Sequence, residues 1–147
     1  MARWLGVDYG KKRIGLAISD PGETISSPAT TMDSTGSVSG DVRQIVRWAA
    51  QNEIQAVVVG WPLNMDGSLG RQAEITQEFV RQLQAAGAFD VELWDERLSS
   101  FQADEFLNAG EFSVAKRKKM RDALAAHVIL QSFLDSRKST PPIDDPW

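Results

Sequence analysis

Three groups of acidic residues in this chain stand where an acid needs a reason. Asp8 ends the apolar segment Leu5-Gly6-Val7-Asp8, directly before a glycine turn, and Asp95 and Glu96 end a second short segment over 91–96. Asp122 is followed at +4, +7, +8 and +11 by Ala126, Ile129, Leu130 and Phe133. Helical spacing therefore puts Asp122 inside the apolar stripe of its helix. A lone ionised carboxylate there is costly unless it is paired or bound to a cation. Each acid also has a plainer reading. Asp8 could cap Gly10 or Lys11 in the turn, Arg97 could pair with Asp95 or Glu96, and Lys118 or Lys119 could bridge to Asp122. If Asp8, Glu96 and Asp122 instead converge at one end of a sheet, they form a hard oxygen site suited to Mg²⁺ or Mn²⁺. Two such ions about 4 Å apart can activate a water and stabilise the departing oxygen of a phosphodiester. Asp66 and Asp95 are further candidate ligands.

Cations lie close to these acids in sequence. Lys116, Arg117, Lys118, Lys119 and Arg121 place five positive charges within six positions, and Lys11, Lys12 and Arg13 form a second cluster. The whole chain, with sixteen basic and twenty acidic residues, carries −4; without the first cluster the remainder stands at −9. Such runs are commonly solvated surface, but their nearness to acids in apolar surroundings favours a grip on phosphate. Asn64 and Arg97 join them as candidate nucleic-acid contacts. Cysteine is absent, which excludes disulfides, thiolate metal sites and cysteine nucleophiles. No signal-peptide stretch precedes Asp8 and no apolar run approaches bilayer length, so a cytoplasmic protein without membrane contact is expected.

The elements that must position these residues follow from pattern. Residues 3–8 read as a strand ended by the turn Tyr9-Gly10-Lys11-Lys12, and Ile14, Leu16 and Ile18 alternate as a strand pairing back in a hairpin. Residues 24–32 suggest a third strand that Pro28 confines to an edge. Val42, Ile45, Val46, Ala49 and Ala50 keep helical spacing. The run Ala56 to Gly60 reads as a strand covered on both faces, and a polar loop leads to a helix over about 71–86 with Ala73, Thr76, Val80 and Leu83 inward. Ser99-Ser100-Phe101-Gln102 matches a capping box for a helix that Gly110 can close. A last helix is expected over about 116–135, followed by a disordered tail, 136–147, with the single domain over 1–135. This order indicates an α/β fold: a mixed five-stranded sheet, antiparallel over its first three strands and flanked by helices, with strands one, four and five parallel. If strand four lies between one and five, Glu96 starts roughly 10 Å from Asp8. The chain must then curl inward, or Asp66 must take the place of Glu96. His127, at +5 from Asp122, reads as structural. Met120, Leu124 and Val128 form a second apolar face, for the helix near 100–108 or for a dimer contact.

Four segments, in order over about residues 4–134, resemble the motifs of the YqgF/RuvX family: Gly6-Val7-Asp8-Tyr9-Gly10-Lys11-Lys12-Arg13-Ile14-Gly15-Leu16-Ala17; Val57-Val58-Val59-Gly60-Trp61-Pro62-Leu63-Asn64-Met65-Asp66-Gly67; Asp95-Glu96-Arg97-Leu98-Ser99; and Lys119 to Gln131 around Asp122. Trp61 departs from the Leu usual in the second motif. The resemblance implies a ribonuclease-H-like fold and a nuclease related to Holliday-junction resolvases, assigned to maturing the 5′ end of 16S ribosomal RNA, with Asp8, Glu96 and Asp122 as its acidic triad. RNA in a ribosomal precursor is then expected over DNA, because paired cuts need a stable symmetric dimer and this chain offers one modest interface, that of a monomer or weak homodimer. Asp-x-Gly before a hairpin also opens the actin/Hsp70/sugar-kinase ATPases, which need a second lobe for which 147 residues leave no room. A non-catalytic RNA-binding assembly factor is a third reading.

Overall fold

The described residues of the computed structural model are 3–87, 89–98 and 114–138, with side chains described from residue 120 to 137 in the last stretch. Strands β1 (Trp4–Tyr9), β2 (Arg13–Ser19) and β3 (Ser26–Asp33) lead to helix α1 (Val38–Gln51). Strand β4 (Ala56–Trp61), helix α2 (Arg71–Ala85) and strand β5 (Asp90–Asp95) follow, then a 3-10 turn (Glu96–Leu98) and helix α3 (Val114–Lys138). The sheet order is β3-β2-β1-β4-β5. The β1–β2 and β2–β3 pairs are antiparallel, and β1–β4 and β4–β5 are parallel, as the sequence pattern requires.

Local chemistry accounts for the boundaries. The hairpin closes through the Gly10 amide, which donates to the Arg13 carbonyl at 3.1 Å. Strand β3 lies at the edge, and Pro28 sits opposite Ala17 where the register shifts, a place where a missing donor costs little. Ser37 caps α1, its hydroxyl accepting from the Gly40 amide at 3.0 Å.

Strand alternation divides the core into two layers. Leu5, Val7 and Tyr9 of β1, with Ile14, Leu16, Val57 and Val59, pack beneath α1 and α2 around Ile45, Phe79 and Leu83. Trp4, Ala17, Ala56 and Val58 face the other way, against Ala126, Leu130, Phe133 and Leu134 of α3. Full burial of side chains such as Phe79, Leu5 or Leu130 stabilises the fold by roughly 1.5–3 kcal/mol each. The face with Trp4 also carries Asp8, so α3 runs over the candidate site.

Two expectations change. The last helix continues through Ser136, Arg137 and Lys138, where a disordered tail is expected from 136. The cause is packing: the Arg137 guanidinium lies 5.2 Å from the Trp4 ring centroid and 5.6 Å from that of Phe133, and Arg137 also meets Glu23 at 3.5 Å. Ala50 is exposed, while Ile45 and Ala49 carry the buried side of α1. The expected helix between Ser99 and Gly110, and the tail beyond Lys138, lie outside the described residues.

Candidate active site

Asp8 lies one residue from the carboxyl end of β1, part-buried and on the α3 face. Its carboxylate does not cap the hairpin: Glu96 donates a hydrogen bond to it. The two residues come from strands separated by β4, and two features close the gap. The chain leaves β5 at Asp95 and turns at once into the 3-10 turn that Glu96 begins. At the crossing point β4 carries Gly60, where a Cβ would stand 2.6 Å from Glu96 Oε1 and 3.0 Å from its Cγ. The glutamate reaches Asp8 through the space a side chain would fill.

Asp122 arrives by the same device on the other side. Asp8 pairs across the hairpin with Gly15, and a Cβ at Gly15 would collide with the Asp122 carbonyl oxygen. The backbone of α3 thus rests on β2, and the Asp122 charge acts on Asp8. Asp122 is ion-paired with Arg13, Nε to Oδ2 at 2.9 Å; the side chains of Lys118 and Lys119, its expected partners, lie outside the described residues.

The electrostatics follow from this crowding. Burial, then the charge of Asp122, push the Asp8 carboxyl up, while the Glu96 hydrogen bond pulls it down. Burial, the charge of Asp8, the hydrogen bond to Asp8 and the charge of Asp95 all push Glu96 up. Two carboxylates side by side in a part-buried site resist ionising together, which favours keeping a proton between them. Such a pair is an oxygen donor set suited to a hard divalent cation, which would displace that proton. Among the described residues no three acidic or histidine side chains already surround one point. Asp8 and Glu96 meet, and Asp122 is turned to Arg13.

The remaining candidates distribute around this pair. Asp66 is exposed in the β4–α2 loop and accepts from the Ser68 amide at 2.9 Å and its hydroxyl at 2.6 Å. Asp95 accepts from Arg97, Nη2 to Oδ2 at 2.6 Å. Asn64 donates to the Ser68 hydroxyl at 3.0 Å. Lys11 and Lys12 are exposed at the hairpin tip, and Arg121 is exposed on α3. Lys116, Arg117, Lys118 and Lys119 belong to the first turns of α3. His127 is structural, its Nδ1 2.9 Å from the Ser26 hydroxyl. Trp94 packs edge-on to Phe133, centroids 5.7 Å apart, and Trp61 donates to the Ala73 carbonyl at 3.3 Å.

Pattern reading missed the support beneath the site. The Tyr9 ring stacks on Phe79, centroids 4.0 Å apart, and its hydroxyl donates to Asp41 at 2.5 Å. Gln72 donates to the Tyr9 carbonyl at 3.0 Å. The residue after Asp8 is thereby held at ring, hydroxyl and backbone. Asp41 also accepts from Ser34 and Thr35, and these bonds hold its carboxyl low although burial acts the other way. An acid in the first turn of a helix behind a Ser cap was the available signal.

A five-stranded sheet in this order, with a carboxylate pair under the last helix, defines a ribonuclease-H-like α/β protein. The fold is shared with Thermus thermophilus RuvC in complex with a Holliday-junction substrate, at TM-score 0.61 and 13% identity over 95% of this chain and 98% of that one. It is shared as well with the fowlpox virus resolvase bound to junction DNA, at TM-score 0.59 and 15% identity over 92% and 98%. The chain belongs to the family described as Holliday junction resolvase RuvX, whose profile matches residues 2–136. Relatives named as candidate pre-16S rRNA nucleases include that of Caldanaerobacter subterraneus, 45% identical over 94% of this chain and 99% of its own length. That of Chloroflexus aurantiacus is 42% identical over 93% and 89%.

Proposed function

We propose that this protein is a metal-dependent phosphodiester hydrolase that trims the 5′ end of precursor 16S ribosomal RNA in the cytoplasm. The observation that carries the reading is the Asp8–Glu96 pair, assembled across a strand through Gly60 beside Asp122. The names of the relatives support the substrate.

Asp8 and Glu96, completed by Asp122 on release from Arg13, would hold Mg²⁺ or Mn²⁺. When bound, such ions supply an activated water and charge stabilisation for the departing oxygen. The chain's own part is to hold the oxygens in place. The Tyr9 anchor fixes the end of β1, and Gly60 admits Glu96. Lys11, Lys12, Arg121 and the cations that open α3 grip the phosphates on either side. Arg13 carries the charge of Asp122 until substrate and metal arrive. Cations of this kind orient the backbone and carry no base information, so specificity for the precursor end rests on its shape and single-stranded character.

The test is cleavage of labelled precursor RNA, single-stranded DNA and a four-way junction at equal enzyme, metal and salt. Cutting is expected on the RNA, with Mg²⁺ or Mn²⁺, and to stop in chelator. Symmetric junction cleavage at much lower enzyme would make resolvase the better reading, the one favoured by the junction-bound structures that share the fold. Full activity in chelator would remove metal from the mechanism.

A further inference from the structure

Arg97 stands beside Glu96 at the surface, and its guanidinium is engaged by protein groups on two sides. Its Nε lies 2.9 Å from Asp95 Oδ2 and 3.1 Å from Oδ1, its Nη2 lies 2.6 Å from Oδ2, and its own amide donates to Oδ1 at 2.9 Å. The remaining arm, Nη1, donates to the Met65 carbonyl at 3.2 Å. That carbonyl belongs to the β4–α2 loop, which folds on itself through Asn64 N to Ser68 O at 3.0 Å and Gly67 N to Asn64 O at 2.8 Å. Gly67, at φ +87°, lies so close that a Cβ there would be 3.5 Å from Arg97 Nη1.

We infer that Arg97 is a positioning residue that locks the 3-10 turn carrying Glu96 to the β4–α2 loop, rather than a contact to substrate phosphate. The inference rests on the nuclease reading above and deepens it. Glu96 must cross β4 to reach Asp8, so the direction in which the chain leaves β5 decides whether its carboxyl arrives. The Arg97 amide and guanidinium, both on Asp95, set that direction, and Nη1 ties it to a loop from the neighbouring strand. A planar fork can satisfy a carboxylate and a carbonyl at once, which a lysine amine does only as a mobile point charge. Three of its five N–H donors are taken up by these protein groups, which fixes the plane and direction of the fork.

The experiment compares Arg97→Ala, Arg97→Lys and Asp95→Ala with the parent protein in three measurements on the full chain. These are steady-state cleavage of the precursor RNA, salt dependence of RNA binding, and hydrogen exchange at the Asn64 and Gly67 amides. A positioning role predicts kcat lower by roughly a hundredfold in all three variants, as for a misplaced catalytic group, with KM and the log–log salt slope unchanged. It also predicts exchange at both amides faster by on the order of tenfold, and no rescue by lysine. The inference is overturned if Arg97→Ala lowers the slope by about 0.7, the value of one single-strand phosphate neutralised, or if lysine restores activity, or if the loop amides keep their protection. Should the parent protein cut none of the substrates, the nuclease reading fails on its own. The exchange measurement then still decides whether Arg97 holds turn and loop together.

Discussion

At the scale of single residues, the site is two carboxylates that would rather not both be charged. Asp8 and Glu96 are each raised above their ordinary range, first by burial and then by neighbouring charge. The folded protein therefore binds more protons than the unfolded chain between the ordinary carboxylate range and neutrality. By linkage, the stability from this pair is fully present at acid pH and lost as pH rises through neutrality. Without metal, the protein is expected to melt at lower temperature at mildly alkaline than at mildly acidic pH. Asp8→Asn should flatten that dependence and melt higher than the parent on the alkaline side, while abolishing cleavage. Thermal melts across pH, in chelator, check this; unfolding of the variant would make Asp8 a structural residue instead. The same proton predicts that Mn²⁺ binding tightens as pH rises, since the cation must displace it. Calorimetric titration giving one affinity at all pH values would remove the pair from the metal site.

At the scale of elements, the site exists because two strands lack side chains where others must pass. Gly60 lets Glu96 cross β4, and Gly15 lets α3 rest on β2 beside Asp8. Gly60→Ala would put a methyl against Glu96 and Ile129 Cδ1, both flexible ends. Overpacking of this kind costs about 1–3 kcal/mol. The larger expected effect is on cleavage, lower by roughly a hundredfold because the carboxyl is displaced. Gly15→Ala meets helix backbone, which cannot turn aside, so it is expected to lower stability more than Gly60→Ala does. Denaturant melts and kinetics on the two variants separate the effects. A fully active Gly60→Ala would show that Glu96 need not reach Asp8.

At the scale of the molecule, an acidic chain must hold a polyanion. Its −4 net charge offers no general attraction, so the proposed function needs a local cluster of cations. The proposed grip is Lys11 and Lys12 on the hairpin together with the cationic run that opens α3. Neutralising Lys116, Lys118 and Lys119 together should weaken binding to all RNA sequences alike. It should also lower the salt slope by about 0.7 for each phosphate that these lysines no longer neutralise. Filter binding over a range of salt measures this, and an unchanged slope would make the run ordinary solvated surface.

Much of this protein is written locally. Alternation in Ile14, Leu16 and Ile18, the β-branched run at 57–59 and the glycine turn at Gly10 were enough to predict the hairpin, the parallel core and a carboxylate edge, because period and turn chemistry depend on near neighbours. The stripe that includes Asp122 likewise marked an acid that had to find a partner. What the partners are depended on distance through space. Whether Glu96 or Asp66 joins Asp8 turned on Gly60, whose missing Cβ matters only because a side chain from beyond β5 crosses it. The pairing of Asp122 with Arg13, 109 residues away, and the helical course of Ser136 to Lys138 under the hold of Trp4 are of the same kind. Sequence spacing orders side chains along one element, whereas contacts between elements arise only when the sheet brings distant segments within a few ångströms.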